Sequence, residues 1–204
     1  MRKRGILLII ISLIFILTCF YFDNSIVQIV SLLRNNLLDN FFLVVTFVSS
    51  EILIFFILTT LFLWTENKRE WIFPLWTCMG LSLFVSFFLK IVIHRLRPFQ
   101  IGLVELISNL QNSSYEIWNF SFPSFQSMLV FSVIPIISYK FPRLKKFWII
   151  FAVLVAFSRI YFGVHFFSDI LFGILIGYLI GFEILNLEKK KKFGQKFYKK
   201  VFKR

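Results

Sequence analysis

"SRIYFGVHFFSDILFGILIGYLIGFEILNL", residues 158–187, carries two messages in one stretch. Its second part, 168–187, is an almost unbroken apolar run. It has about the 20 residues that a helix rising 1.5 Å per residue needs to cross a bilayer core roughly 30 Å thick. Its first part sets Arg159, His165 and Asp169 among aromatic and aliphatic neighbours. Lipid does not tolerate such charges without a use, so the stretch points to a membrane helix entered through a charged site.

Five more apolar runs lie upstream, at about 5–22, 40–64, 71–93, 121–138 and 147–165. The chain is 58% hydrophobic and 16% charged, with mean hydropathy +0.82, where a soluble domain would carry about 25% charged residues. These features predict an all-α fold: an integral membrane bundle of six transmembrane helices forming one domain over 1–187, followed by a basic tail over 188–204. The run after "MRKRG" exceeds a signal-peptide core and lacks a small-residue cleavage site, so it reads as an uncleaved first helix. The thirty phenylalanines are expected to face lipid and fill the packing between helices.

The net charge of +13 raises the question of nucleic acid. Nine of the 23 basic residues lie in "EKKKKFGQKFYKKVFKR" (188–204), outside any apolar run. A lysine-rich segment after a membrane helix marks the cytoplasmic side and meets anionic head groups, so membrane lipids, not nucleic acid, are the expected partners. With six spans both termini are cytoplasmic, and eighteen basic residues fall on that side. Arg34, Lys90, Arg95, Arg97 and Arg159 fall on the other side, and Arg95 taken alone reads as snorkelling to head groups.

Residues 23–39 mix apolar and polar positions and suit a short interfacial helix, and 95–120 is the longest loop. Cys19 and Cys78 sit at depths more than about 10 Å apart, beyond the roughly 7 Å that a disulfide allows, and read as packing residues.

The outer charges gather at span ends. In "KIVIHRLRP" Lys90, His94 and Arg97 fall at i, i+4 and i+7, one helical face, before Pro98 ends the helix. "SFPSFQSM" opens the fourth span with Pro123 expected in its first turn, and Ser124 is placed to join free N–H groups in holding an anion. His165 and Asp169, four apart, face each other if helix continues or meet across a tight turn. A carboxylate on one imidazole nitrogen fixes the tautomer and frees the other nitrogen to act. Positive charges converging on a histidine–aspartate pair describe a phosphate site beside a nucleophile or base.

"KIVIHRLRP", "PSFQS" and "SRIYFGVHFFSD" resemble, in order, the three signature motifs of the type 2 phosphatidic acid phosphatase superfamily, the lipid phosphate phosphatases: K-x6-R-P, P-S-G-H and S-R-x5-H-x3-D. The first and third agree at Lys90, Arg97, Pro98, Ser158, Arg159, His165 and Asp169. The resemblance implies hydrolysis of a lipid phosphate or diphosphate without metal or other cofactor, at the extracytoplasmic face of a multi-pass cell-membrane protein. Lys90, Arg97, Ser124 and Arg159 would hold the phosphoryl oxygens. His165, oriented by Asp169, would form a phosphohistidine that water then opens.

The middle motif departs from the family: Phe125 replaces glycine, and Gln126 replaces the histidine that protonates the leaving oxygen. Glutamine donates a hydrogen bond but no proton, and losing one general acid–base group costs about 10²- to 10⁴-fold. Three readings follow. The protein turns over a substrate whose leaving group needs little protonation, a prenyl diphosphate being favoured. Alternatively it binds lipid phosphates without turnover. Or His94 supplies the proton. Glu51, about eleven residues into the second span, reads as a neutral glutamate bonded to Ser or Thr inside the bundle. A channel is disfavoured because the polar residues collect at one surface.

Overall fold

The computed structural model describes residues 2–106 and 120–202, and the stretch 107–119 of the long loop lies outside the described residues. Among the described residues every regular element is helical. In chain order they are α1 (Arg2–Ser31), α2 (Asn36–Val48), α3 (Glu51–Trp64), a 3₁₀ segment (Glu66–Trp71), α4 (Ile72–Ile93), α5 (Phe125–Ser132), α6 (Ile134–Lys140), a 3₁₀ turn (Pro142–Leu144), α7 (Lys145–Tyr161), α8 (Phe167–Lys191) and α9 (Phe193–Phe202).

The apolar runs are therefore helical, but not all are single straight rods. Among the described residues, two helices can by length and composition cross a membrane alone: Glu66–Ile93, counting the 3₁₀ segment, and Phe167–Lys191. Thr18–Ser31 and Asn36–Val48 pass together but are bent by 120°. The helix reaching Ser31 absorbs much of 23–39, so that region is no separate interfacial helix. The chain turns at 32–35, where the Asn35 carboxamide caps α2 by accepting from Leu38 N–H at 3.0 Å.

The run 40–64 breaks at Ser49–Ser50. Ser49 Oγ bonds back to the Thr46 carbonyl at 3.1 Å, a local alternative to the helical ladder. The run 121–138 breaks at Val133 because Pro135, in the first turn of α6, brings no N–H.

Helix α8 is the hub, packing on α1, α4, α5 and α6. Its contact with α5 is the most intimate: a Cβ at Gly177 would lie 2.2 Å from the Met128 carbonyl oxygen. Only glycine lets the two backbones approach so closely. The apolar core runs through α2–α8 and includes Phe62, Leu75, Met128, Ile137, Trp148 and Tyr161. Cys19 and Cys78 are buried and unbridged, and Cys78 donates to the Ser132 carbonyl at 3.1 Å.

At the lysine-rich end the cations sit on aromatic faces. Lys68 lies 3.7 Å from the Phe141 ring centroid, Lys140 4.4 Å from that of Trp71, and Lys189 4.2 Å from that of Tyr139. Within the basic segment after 188, the end of α8 is followed, past the left-handed cap at Lys192, by α9. Buried Glu188 accepts from Gly194 N–H at 2.7 Å and Gln195 N–H at 3.2 Å, folding α9 back onto α4, where Phe197 stacks on Phe73 at 4.3 Å.

Candidate active site

At the opposite end, the C-termini of α4 and α7 meet the N-termini of α5 and α8. Lys90, in the last turn of α4, is buried, and its ammonium donates to the Phe120 carbonyl. The helix then stops at Ile93: His94 takes the left-handed conformation (φ 51°) and is exposed. The one-face placement of Lys90, His94 and Arg97 therefore does not hold. His94 packs edge-on against Phe120, with ring centroids 4.5 Å apart, and Arg97 reaches the site from the following loop, donating to the Val164 carbonyl at 2.9 Å. Burial lowers Arg97 to about 10 while Asp169 pulls the other way, so its guanidinium stays charged at neutral pH.

Pro123 lies before the helix, following a cis Phe122–Pro123 peptide bond, and not in its first turn as the sequence suggested. Ser124 is the N-cap of α5 and is buried. Its hydroxyl pairs with that of Ser127 at 3.0 Å, and its N–H donates to the Asp169 carbonyl at 3.1 Å, tying the α5 start to α8. Phe125 turns into the apolar core, not to lipid. Gln126, half-buried, turns its carboxamide oxygen to Arg159, which donates from Nη1 at 2.5 Å.

Arg159 is buried near the end of α7. Its remaining donors go to Thr46 Oγ1 and to Ser158 Oγ, the latter at 3.0 Å from Nε and 2.9 Å from Nη2. Thr46 escaped the reading of the sequence because nothing local marks it; α2 brings it in. Glu51 begins α3 just past the Ser49–Ser50 break and is exposed. It is not the buried glutamate that the position in the span suggested.

The chain leaves α7 at Tyr161 and turns through 162–166 before α8, so His165 and Asp169 meet across a turn. Gly163 makes that turn possible: its φ is +66°, and a Cβ there would lie 2.3 Å from Val104 Cγ2. His165 is buried with Nδ1 3.7 Å from Asp169 Oδ2, longer than a hydrogen bond, and Nδ1 has no partner. The ring's hydrogen bond goes to the Ser121 backbone. Burial first, then the charges of Arg97, Lys90 and Arg159, push the imidazole well below its ordinary value, so it is neutral at pH 7.

Asp169 is fully buried at the third position of α8 and accepts from Phe166 N–H at 2.8 Å. Its other oxygen goes to a residue the sequence reading left as a snorkelling surface arginine: Arg95 Nη1 donates to Asp169 Oδ1 at 2.6 Å. Arg95 also donates to Asp23 of α1 at 2.7 Å and to Ser168 Oγ at 2.7 Å.

Lys90, Arg97, Ser124, Gln126, Arg159, His165 and Asp169 thus occupy one end of the bundle. Two helix N-termini add their positive poles to three buried or half-buried cations, an arrangement suited to a phosphate group beside a neutral imidazole.

Comparison with known proteins bears on the family and the fold. The family model of the PAP2 superfamily matches residues 71–193. Among solved structures, the chain is similar to the first transmembrane PAP2 type phosphatidylglycerolphosphate phosphatase from Bacillus subtilis. The identity is 24% and the TM-score 0.69, over 89% of this chain and 96% of that one. It is also similar to Aquifex aeolicus LpxE, with 26% identity and TM-score 0.63, over 80% of this chain and 94% of that one. No curated protein matches the chain by sequence.

Proposed function

The chain belongs to the PAP2 superfamily, and from that premise we propose that it is a membrane lipid phosphatase acting through a phosphohistidine on a prenyl diphosphate. The observation that carries the reading is the buried, neutral His165 crowded by Lys90, Arg97 and Arg159. Buried cations this close to one another repel, and an anion with two or three charges relieves that repulsion.

In the proposed reaction the imidazole nitrogen remote from Asp169 gives up its bond to the Ser121 backbone and attacks the terminal phosphorus, while the ring proton sits on Nδ1, facing Asp169. The bond to the bridging oxygen breaks, and the lipid monophosphate departs with the electron pair. Water then attacks the phosphorus, the P–N bond breaks, and inorganic phosphate leaves as the imidazole is restored. Lys90, Arg97, Arg159 and the α5 start hold the equatorial oxygens, whose charge grows in the transition state. Gln126 donates a hydrogen bond to the leaving oxygen but no proton, which suits a leaving phosphate and penalises an alkoxide. The bias of lysines and arginines favours six spans, cytoplasmic termini and a site at the extracytoplasmic face of the cell membrane.

A second reading, binding of lipid phosphates without turnover, draws on a separate observation: the Arg159 donors are satisfied by Gln126, Thr46 and Ser158. A substrate must displace some of these bonds to engage that guanidinium.

The deciding experiment is phosphate release by purified protein in EDTA, offered a prenyl diphosphate and a phosphatidic acid in parallel, with His165→Ala as control. Release that favours the diphosphate and vanishes in the control is the expected result. No release from either substrate, with inorganic phosphate still bound, favours the second reading.

A further inference from the structure

Three of the charges at this end of the bundle, two buried and one half-buried, are not accounted for by phosphate binding. Asp23 of α1 and Asp169 of α8 are 1% and 0% exposed, and Arg95 stands between them. Two carboxylates taken out of water without a cation would be costly, and one of them would take up a proton. Arg95 answers both at once, bonding Asp23 Oδ2 at 2.7 Å and Asp169 Oδ1 at 2.6 Å. Its guanidinium carbon lies 3.9 Å from the Phe166 ring centroid and 4.8 Å from that of Phe20, so the fork is held in plane as well as by charge.

Asp23 does more than balance charge. Its Oδ1 accepts from Ser168 N–H at 2.9 Å and its Oδ2 from Ser168 Oγ at 2.5 Å, so α1 caps the first turn of α8 from outside. Arg95 donates to that same serine hydroxyl. Asp169, which the Ser121 side chain also contacts, has one oxygen bound by Arg95 and the other, bonded to Phe166 N–H, facing His165 Nδ1 at 3.7 Å.

We propose that Arg95, anchored by Asp23, is a positioning residue for the nucleophile. It keeps Asp169 ionised and turns one carboxylate oxygen toward His165 Nδ1, without touching substrate. The inference rests on the phosphohistidine reading above. In the resting geometry His165 bonds the Ser121 backbone and Nδ1 is unpaired. Attack through the other nitrogen requires the ring proton at Nδ1, where only a charged, correctly turned Asp169 can accept it. Arg95 fixes the first condition by its charge and the second by occupying Oδ1. It therefore acts on the chemical step, whereas Lys90, Arg97 and Arg159 act on phosphate binding.

The test is a double-mutant cycle on Arg95→Met and Asp169→Asn with the best diphosphate substrate, following kcat and KM separately. Arg95→Met is expected to lower kcat about 10- to 100-fold, in the range of losing a residue that orients a reacting group, with KM within about threefold. Asp169→Asn lowers kcat at least as far, and the double variant is no worse than Asp169→Asn alone, because Arg95 acts through that carboxylate. Arg95→Lys, which keeps charge but loses the fork, recovers part of kcat. The inhibition constant of inorganic phosphate stays near the wild-type value and shows the site is folded.

Additive losses in the double variant, or a loss carried by KM with kcat intact, overturn the proposal while leaving the phosphatase reading in place. An inactive wild-type protein removes the reading itself. Should Arg95→Met not fold, Asp23→Asn carries the same expectation for kcat and KM, and an unchanged kcat there overturns the proposal.

Discussion

Replacing Gln126 with histidine probes the leaving-group role proposed for position 126. Gln126 sits in the first turn of α5, its carboxamide oxygen 2.5 Å from Arg159 Nη1. An imidazole at the same position has one acceptor nitrogen when neutral. Neutral, it accepts from Arg159 on that nitrogen and offers only a hydrogen bond from the other; to deliver a proton to a leaving oxygen it must be protonated, and then neither nitrogen accepts from Arg159. Protonation releases Arg159 Nη1 to the phosphate, so one substitution adds an acid and frees a phosphate donor. Restoring a general acid is worth about 10²-fold or more toward a basic alkoxide leaving group, or about 2.7 kcal/mol at 1.36 kcal/mol per tenfold. For a diphosphate the leaving phosphate needs little help, and the change should stay within about tenfold. The assay is phosphate release from a phosphatidic acid and a prenyl diphosphate by both proteins, taken as the ratio of their kcat/KM values. The expected shift is about 10²-fold toward the monoester. An unchanged ratio in a folded variant that still binds phosphate would refute the assignment of the leaving-group role to position 126.

Gly177→Ala places a methyl 2.2 Å from the Met128 carbonyl oxygen, forcing α5 and α8 apart at a cost of about 1–3 kcal/mol, read as a lower detergent melting temperature. Arg97→Ala removes a phosphate cation and should raise KM for the diphosphate and weaken inhibition by inorganic phosphate about tenfold or more, with melting temperature little changed. Because the neutral form of His165 is favoured in the folded protein, the nucleophile stays unprotonated as pH falls through the usual imidazole range near 6.5. The kcat/KM profile should show no acid limb from His165 between about pH 6 and 8, and a limb centred near 6.5 would contradict this. Glu188→Gln weakens the acceptor for two α9 N–H groups and should expose the lysines of 189–200 to faster trypsin cleavage, with activity retained.

Much of the site is legible along the chain because its residues lie in three short, spaced motifs at the ends of apolar runs. Lys90, Arg97 and Arg159 stand out as charges that lipid would expel, and His165 and Asp169 as a pair four apart. His94 shows the limit of periodicity. A helical face persists only while the helix does, and the left-handed turn at His94 ends it three residues before Arg97 would have completed the face. The breaks at Ser49–Ser50 and Val133 were less visible, since an apolar run looks the same whether its helix is continuous or broken. The spacing of Gly173 and Gly177 in "GILIGYLIG" was a readable sign of close helix packing, but it names no partner; α5 appears only in three dimensions.

By itself the sequence determined that the protein is helical, apolar enough for a membrane, and equipped with charged motifs matching a phosphate-handling pattern. These properties depend on composition and local spacing, which a linear chain displays directly. Only the tertiary structure decided which partner each charge takes. Asp23 and Ser168 lie 145 positions apart yet share hydrogen bonds, and Arg95, an ordinary surface arginine by its local context, joins two buried carboxylates from different helices. Ion pairing depends on distance and desolvation through space, and neither is encoded in the neighbours along the chain.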